Sequence, residues 1–373
     1  MRAWMIRLAA VWCALALFSL PTERATGGEP GPDCGSPSNI HDGWVTGLPE
    51  QQGFDPARLC AMGKGVADGK LANVDSIVVA RHGVLVYERY FGLPGPTGSF
   101  EPATVKHRGY SLTKSVVSLL VGIAVDRGLI KDLDASIFSY LPEYADLRTP
   151  EKDRITLRSL LTMSDGLDSA GLFEPVEHGL DPNPYRSILA TRLTSEPGVS
   201  FEYNNSTTEL IGAVLQKVTG KTVDVLAREE ILTPLGIHDI EWDRHLGNGY
   251  ARASTGLGLR SRDWAKIGQL VLDRGVWQGK RIVSASWIAQ STALQITAEP
   301  SIRYGFQWWL GRSPLDGHVV DWVAALGFNA QKIIVVAEDD LIVVFNASRE
   351  SEAMVAPEIE LLDGYILPAI SRR

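Results

Sequence analysis

"GYSLTKSVVSLLVGIAVDRG", residues 109–128, is apolar almost throughout, yet it opens with a hydroxyl at Ser111 and an ammonium at Lys114. The pattern reads as a buried helix over 114–127. On a helix, positions three apart share a face, so Ser111 at the first turn and Lys114 one turn on can bring Oγ and Nζ within hydrogen-bond reach. A serine hydroxyl is a poor nucleophile at neutral pH and needs a base beside it; an amine serves when apolar surroundings depress its pKa. Residues 116–124 (VVSLLVGIA) supply such surroundings. A helix N-terminus also presents N–H groups that can help hold a developing oxyanion. Alone, S-x-x-K fits a plainer reading as well, because serine is a common N-cap and lysine often lays its stem along apolar surface.

A second segment narrows the choice. "GVSFEYNNSTTELIGAVL" (198–215) sets Tyr203 and Asn205 just before a helical run at 207–220 that stops at Gly220. A loop there can aim the phenol and the amide into one cleft, the first to relay protons and the second to bond the lysine or a substrate. The plainer alternative makes Asn205 or Ser206 the helix N-cap and packs Tyr203 beneath it.

Outward from these segments, strands cluster near both ends of the chain. "VDSIVVARHGVLVYERYFG" (74–92) reads as a hairpin turning at His82-Gly83, and "QKIIVVAEDDLIVVFNAS" (331–348) as a second, turning at Glu338 to Asp340. Helical signals fill the middle, with another helix over 261–275 and one or two short ones near the C-terminus. The order predicts an α+β class: an antiparallel sheet assembled from both chain ends and flanked by helices, with a mostly helical insertion. The expected division is 41–111 with 246–373 for the α/β domain and 112–245 for the helical domain. Residues 27–38 (GGEPGPDCGSPS) read as a tether, placed over 28–40.

Residues 1–27 read as a signal peptide: Arg2 and Arg7 form a basic start, Leu8 to Leu20 an apolar stretch too short to span a bilayer well, and Ala25 and Gly27 are small enough for cleavage. An exported protein, periplasmic or secreted, is expected, with no membrane attachment once the signal is removed. Loss of Arg2, Arg7, Arg24 and Glu23 takes the formal net charge from −8 to about −10, an acidic balance that argues against a nucleic-acid partner. Cys34 and Cys60 remain, and in an oxidising compartment such a pair points to one disulfide, two free thiols being the alternative. Neither cysteine has the spacing or the histidine company of a metal site, and no metal or cofactor is expected.

With S-L-T-K and Y-N-N in this order and separation, the chain resembles the serine β-lactamase and penicillin-binding-protein superfamily, and more closely its class C-related branch of esterases and 6-aminohexanoate-dimer hydrolases. The resemblance runs over about residues 70–350 and includes "ITLRSLLTMSDGLD" (155–168), the block 254–288, "YGFQWWL" (304–310) and "ALGFNAQKIIVV" (325–336). It implies Ser111 as the acylated nucleophile, Lys114 as its proton partner, Tyr203 as base for acylation and deacylation, and Asn205 as the residue that orients Lys114 and meets the acyl side. The implied oxyanion hole pairs the N–H of Ser111 with that of Phe328. Gly327 and Trp308 are expected to line the substrate site, Trp308 and Trp309 being an aromatic pair that either walls an acyl pocket or belongs to the core.

The departure from the family pattern concerns recognition. Relatives with K-T-G or H-x-G on this strand use a cation and a hydroxyl to bind a substrate carboxylate. Here the triplet is Ala325-Leu326-Gly327, which keeps only the glycine. Small esters or amides are therefore the expected substrates, ahead of β-lactams or peptidoglycan peptides. His318 is a stand-in cation to consider, and 164–187 a segment that could line the pocket mouth. "MSDG" (163–166) is read as a structural junction. An α/β-hydrolase elbow is disfavoured, since Gly109-Tyr110-Ser111-Leu112-Thr113 lacks the final glycine and the chain lacks the alternation of a parallel sheet. A non-catalytic binding or sensor module on the same fold is the competing reading of another class, and it predicts the loss of at least one of the four site residues, all of which are present.

Overall fold

Both sequence hairpins form, and they lie side by side. Ser76–Arg81 pairs with Val84–Tyr90 across His82 and Gly83, both at positive φ (52° and 72°), in a two-residue turn whose twist matches that of the strands. Gln331–Val336 pairs with Leu341–Asn346 across a short 3-10 turn that ends with Asp340 at φ 52°. Leu341–Asn346 then pairs antiparallel with Ser76–Arg81, so the two ends of the chain meet inside one sheet. The computed structural model describes residues 34–72, 74–91, 103–170, 179–299, 302–347 and 358–372. The expected signal peptide, the first part of the expected tether and 171–178 of the pocket-mouth segment lie outside these residues.

Among the described residues the main sheet has nine strands, in the order Val45–Thr46, Val84–Tyr90, Ser76–Arg81, Leu341–Asn346, Gln331–Val336, His318–Gly327, Trp309–Leu315, Ile302–Tyr304 and Ile296–Glu299. Its neighbours are antiparallel except at one edge, where Val45–Thr46 runs parallel to Val84–Tyr90. The strands Gln331–Val336 and Leu341–Asn346 are buried at every position. The alternation nevertheless survives as a partition between two cores. Val78, Ala80, Ile333, Val335, Ile342 and Val344 face one cluster, while Ile77, Val79, Ile334, Val336, Val343 and Phe345 face the other.

Four helices matter for the site: α1 (Pro56–Ala67), α2 (Leu112–Asp126), α3 (Asn205–Thr219) and α4 (Ser261–Leu272). On one face α4 packs on the central strands. Gly268 permits its close approach, since a Cβ there would stand 2.8 Å from Ile342 Cγ2 and 2.9 Å from Ile333 Cγ2. On the other face α1 lies with the C-terminal turns Leu362–Ile366 and Leu367–Ala369. The helix α2 is buried along its length, except at its last two residues, because α3, the Ala285–Ser291 helix and the strand His318–Gly327 surround it. α3 ends where the sequence places its stop, at Gly220 in the left-handed region (φ 72°).

Residues 34–40, expected within a tether, lie against the body instead. Cys34 is bonded to Cys60 on α1, the Glu88 N–H donates to Gly35 O at 2.7 Å, and Arg262 Nη2 donates to Ser38 O at 2.8 Å. A covalent staple and a buried guanidinium hold this glycine- and proline-rich stretch where composition alone reads it as loose. Replacing both cysteines by serine is expected to lower stability by about 3.5 kcal/mol, the chain-entropy value for a loop closed across 26 residues. Thermal unfolding of the oxidised protein against the double variant checks this; two alkylatable thiols in unreduced native protein would contradict it.

Candidate active site

The turn before α2 is built to present Ser111. Gly109 passes so close to Trp264 that a Cβ would come within 2.2 Å of its ring, and its N–H donates to Leu257 O at 2.8 Å. Tyr110 follows in the left-handed region, at φ 48°, a conformation that non-glycine residues adopt at a cost when surroundings demand it. Ser111 then takes the N-cap position of α2, but its side chain makes no capping hydrogen bond to the helix. The hydroxyl is engaged instead by Lys114, whose Nζ stands 3.0 Å from Oγ.

Lys114 is almost fully buried, at 1% exposure. Its Nζ also donates to Asn205 Oδ1 at 2.6 Å and to Ser254 O at 2.8 Å, and it stands 5.1 Å from the centre of the Tyr203 ring. Carbonyl oxygens only accept, so two of the three tetrahedral positions around Nζ are committed to N–H groups. The third faces Ser111. In the ammonium form it holds an N–H directed at Oγ; in the amine form it is the lone pair that receives the hydroxyl proton. A proton can therefore pass between Oγ and Nζ along one line while the other two bonds stay in place.

Asn205 reaches Lys114 because its neighbour does the capping. Asn204, not Asn205 or Ser206, is the N-cap of α3, and its Oδ1 accepts from the Thr207 N–H at 2.8 Å. Thr207 Oγ1 also bonds the carboxyl of Asp165, from the "MSDG" junction, whose pKa burial pushes up. The Asp165 side chain is fully buried and belongs to the scaffold beneath this loop. The ring of Tyr203 packs on Trp309 at 5.4 Å, and Trp309 in turn meets Tyr304 at 4.9 Å and Phe201 at 6.0 Å. Burial, and then the proximity of Tyr203, push the Tyr304 phenol far above the ordinary tyrosine range, so Tyr304 forms a neutral wall behind Tyr203.

Gly327 ends its strand against the same turn: a Cβ there would lie 2.3 Å from Gly109 O and 2.8 Å from Leu112 Cδ1. Phe328, 46% exposed, sets its ring edge-on to that of Tyr110 at 5.5 Å, beside Ser111. The structure thus brings Ser111, Lys114, Tyr203 and Asn205 together, with Gly327 and Phe328 adjoining. It does not bring Trp308. That side chain is fully buried in the larger core, in the same cluster as Phe306 and Trp287, because consecutive residues along extended chain point to opposite faces and the face toward Tyr203 is taken by Trp309. His318 is no stand-in cation either. It is exposed at the opposite end of the strand that finishes at Gly327, nine residues away or roughly 30 Å along extended chain.

Two contributors escaped the sequence reading. Ser254 acts through its backbone carbonyl, which no side-chain motif can announce. Glu209 is the other: a carboxylate inside an apolar helix face is a signal, and in the fold it bonds Ser254 rather than solvent.

The Beta-lactamase family profile matches residues 65–364. The chain is 29% identical over 179 residues to the esterase EstB of Burkholderia gladioli, covering 43% of this chain and 45% of that protein. It is 24% identical over 270 residues to the 6-aminohexanoate-dimer hydrolase of Paenarthrobacter ureafaciens, covering 64% and 65%. The matches thus span less than two thirds of either relative's length. Among solved structures, a family VIII carboxylesterase superposes with a TM-score of 0.66 at 18% identity, covering 87% of this chain and 98% of the other, a likeness of fold.

The contact between Gly327 and the serine turn generates a test. Gly327→Ala would press a methyl group onto Gly109 O, and is expected to destabilise the protein by about 1–3 kcal/mol, the usual range for overpacking, or to displace the 109–112 turn. Thermal unfolding together with labelling of Ser111 by a serine-directed probe checks both outcomes; an unchanged midpoint with full labelling would contradict the contact.

Proposed function

This chain belongs to the beta-lactamase family, and from that premise we propose that it is a serine hydrolase that opens small esters and amides through an acyl-enzyme on Ser111. One observation carries the reading: the buried Lys114 amine, fixed by two carbonyl acceptors with its remaining position aimed at Ser111 Oγ. A purely structural lysine has no reason to be buried against the hydroxyl at the N-cap position of its own helix, which makes no capping bond.

In the proposed cycle Lys114, with Tyr203 beside it, takes the Ser111 proton as Oγ bonds to the substrate carbonyl carbon. The carbonyl oxygen becomes an oxyanion held by the N–H groups of Ser111 and Phe328. Collapse breaks the bond to the alcohol or amine, which leaves with the proton. A water then attacks the acyl carbon while its proton passes by way of Tyr203 to Lys114, and Oγ takes that proton from Lys114 as it is freed, so that amine and phenol end the cycle as they began it. Asn205 keeps Nζ in place throughout and meets the acyl side.

Recognition follows from what lines the neighbouring strand. Ala325 and Leu326 are both buried and offer neither charge nor hydroxyl where K-T-G relatives hold a carboxylate. A charge-assisted hydrogen bond contributes about 1.5–3 kcal/mol, so its loss lowers the efficiency of carboxylate-bearing substrates by about one to two decades and leaves neutral esters untouched. The names of the relatives, an esterase and a hydrolase of an amide dimer, agree with this class. Export is part of the same proposal: the segment 1–27 has the pattern of a signal peptide, and a Cys34–Cys60 disulfide suits an oxidising compartment.

A fluorophosphonate probe is expected to add one equivalent at Ser111 and none to Ser111→Ala, as read by intact mass and peptide mapping; labelling at another residue would move the nucleophile. Lys114→Ala and Tyr203→Phe should each slow turnover by about two to four orders of magnitude with KM much less affected. A near-normal kcat in Tyr203→Phe would return that ring to a packing role.

On substrates, kcat/KM for p-nitrophenyl butyrate should exceed that for a cephalosporin. The reverse order would mean that another cation supplies the missing carboxylate contact.

A further inference from the structure

Glu209 lies one turn beyond Asn205 on α3, and residues four apart share a helix face, so its carboxylate points the same way as the amide that holds Lys114. It is 2% exposed, a setting in which an unpaired carboxylate is costly. Here both oxygens are used. Oε1 accepts from the Ser254 N–H at 2.9 Å and from Ser254 Oγ at 2.6 Å; Oε2 accepts from the Ala253 N–H at 3.1 Å and from His245 Nε2 at 3.1 Å. Burial pushes this carboxyl up, but the hydrogen bond and charge of His245 and the donors of Ser254 outweigh it and hold the group below its ordinary range. Gly212, further along the same face, lets the helix close on the pinned segment, since a Cβ there would stand 2.7 Å from Ala253 Cβ.

The segment so pinned ends in the Ser254 carbonyl that accepts from Lys114 Nζ at 2.8 Å. Its far side is tied to α2 as well, through the Leu257 N–H donating to Thr113 Oγ1 at 3.2 Å and the Gly109 N–H donating to Leu257 O at 2.8 Å. We infer that Glu209 is a positioning residue for Lys114: by clamping Ala253 and Ser254 it fixes the carbonyl that, with Asn205 Oδ1, aims the amine at Ser111. The inference rests on the reading of Ser111 and Lys114 as nucleophile and proton partner. A lysine amine sits on a flexible four-carbon stem, and a misplacement of about 1 Å at a reacting group costs about a hundredfold in rate.

The decisive variant is Glu209→Gln, which keeps the shape but turns one acceptor oxygen into a donor. Whichever way the amide lies, its NH₂ then faces N–H groups that the carboxylate had satisfied, and the 253–254 segment must shift. In the full-length protein, with p-nitrophenyl butyrate as substrate, kcat is expected to fall about ten- to a hundredfold while KM changes by less than about threefold. In a Lys114→Ala background the same substitution should cost less than about threefold, because the residue it positions is gone. Equal losses in both backgrounds, or no loss in the parent, would overturn the inference. Should Glu209→Gln fail to fold, His245→Leu removes one donor from Oε2 and leaves the backbone bonds. It should give a loss of about three- to tenfold that vanishes in Lys114→Ala and is recovered by His245→Gln, whose amide can still donate; an additive loss overturns the proposal here too. A Lys114→Ala variant with parental turnover would instead remove the role of Lys114 itself, and this inference with it.

Discussion

A primary amine enclosed by protein is tolerated only when its hydrogens are met, and the Lys114 Nζ is met from three separate parts of the chain. Ser111 comes from the start of α2, Asn205 from the start of α3, and the Ser254 carbonyl from the segment that leads into the strand Leu257–Arg260. Of the three, only Ser111 is near Lys114 in sequence. The burial of one nitrogen thus requires a helix start, a second helix start and an extended segment to converge, and much of the surrounding structure serves to hold them there.

The means of convergence are local and specific. Gly109 lets the serine turn slide past Trp264, and Gly327 lets the end of a central strand abut Gly109 O. Asn204 caps α3 and so releases Asn205 toward the amine. Leu257 ties the third segment to the first with two hydrogen bonds. Buried polar groups that are fully satisfied in this way add rigidity and a unique register; if partly satisfied they would be a liability.

The surroundings of the amine also bear on what the site can accept. The neighbouring strand presents Ala325 to one core and Leu326 to the other, so it contributes only packing and the glycine at its end. Two cations on the flanking strands are committed. Arg108 pairs with Asp243 and lies over the Tyr110 ring at 5.3 Å, and Arg260 pairs with Asp263 at 2.8 Å. Aromatic side chains adjoin the serine turn and the lysine: Tyr110 with the half-exposed Phe328, and Tyr203 backed by the buried Trp309.

By itself the sequence determined the hairpins around His82-Gly83 and Glu338–Asp340, the helices that stop at Gly220 and near Gly275, and the pairing of Ser111 with Lys114, because strand period, turn chemistry and helix spacing act over a few residues. Tyr203 and Asn205, the latter 91 residues from Lys114, join that pair only through the family resemblance. Residue order could not decide which of Trp308 and Trp309 faces Tyr203, because that depends on the register of an extended segment against its neighbours. It could not decide that Asn204 would cap α3, since three polar residues in a row compete for that place. The Cys34–Cys60 staple was legible as well, from two cysteines left over in an oxidising compartment, but residue order could not reveal that Ser254 lends a carbonyl and Glu209 clamps it. A backbone acceptor carries no side-chain signature, and a buried carboxylate acquires its meaning only from the donors that folding brings to it from 36 to 45 residues away.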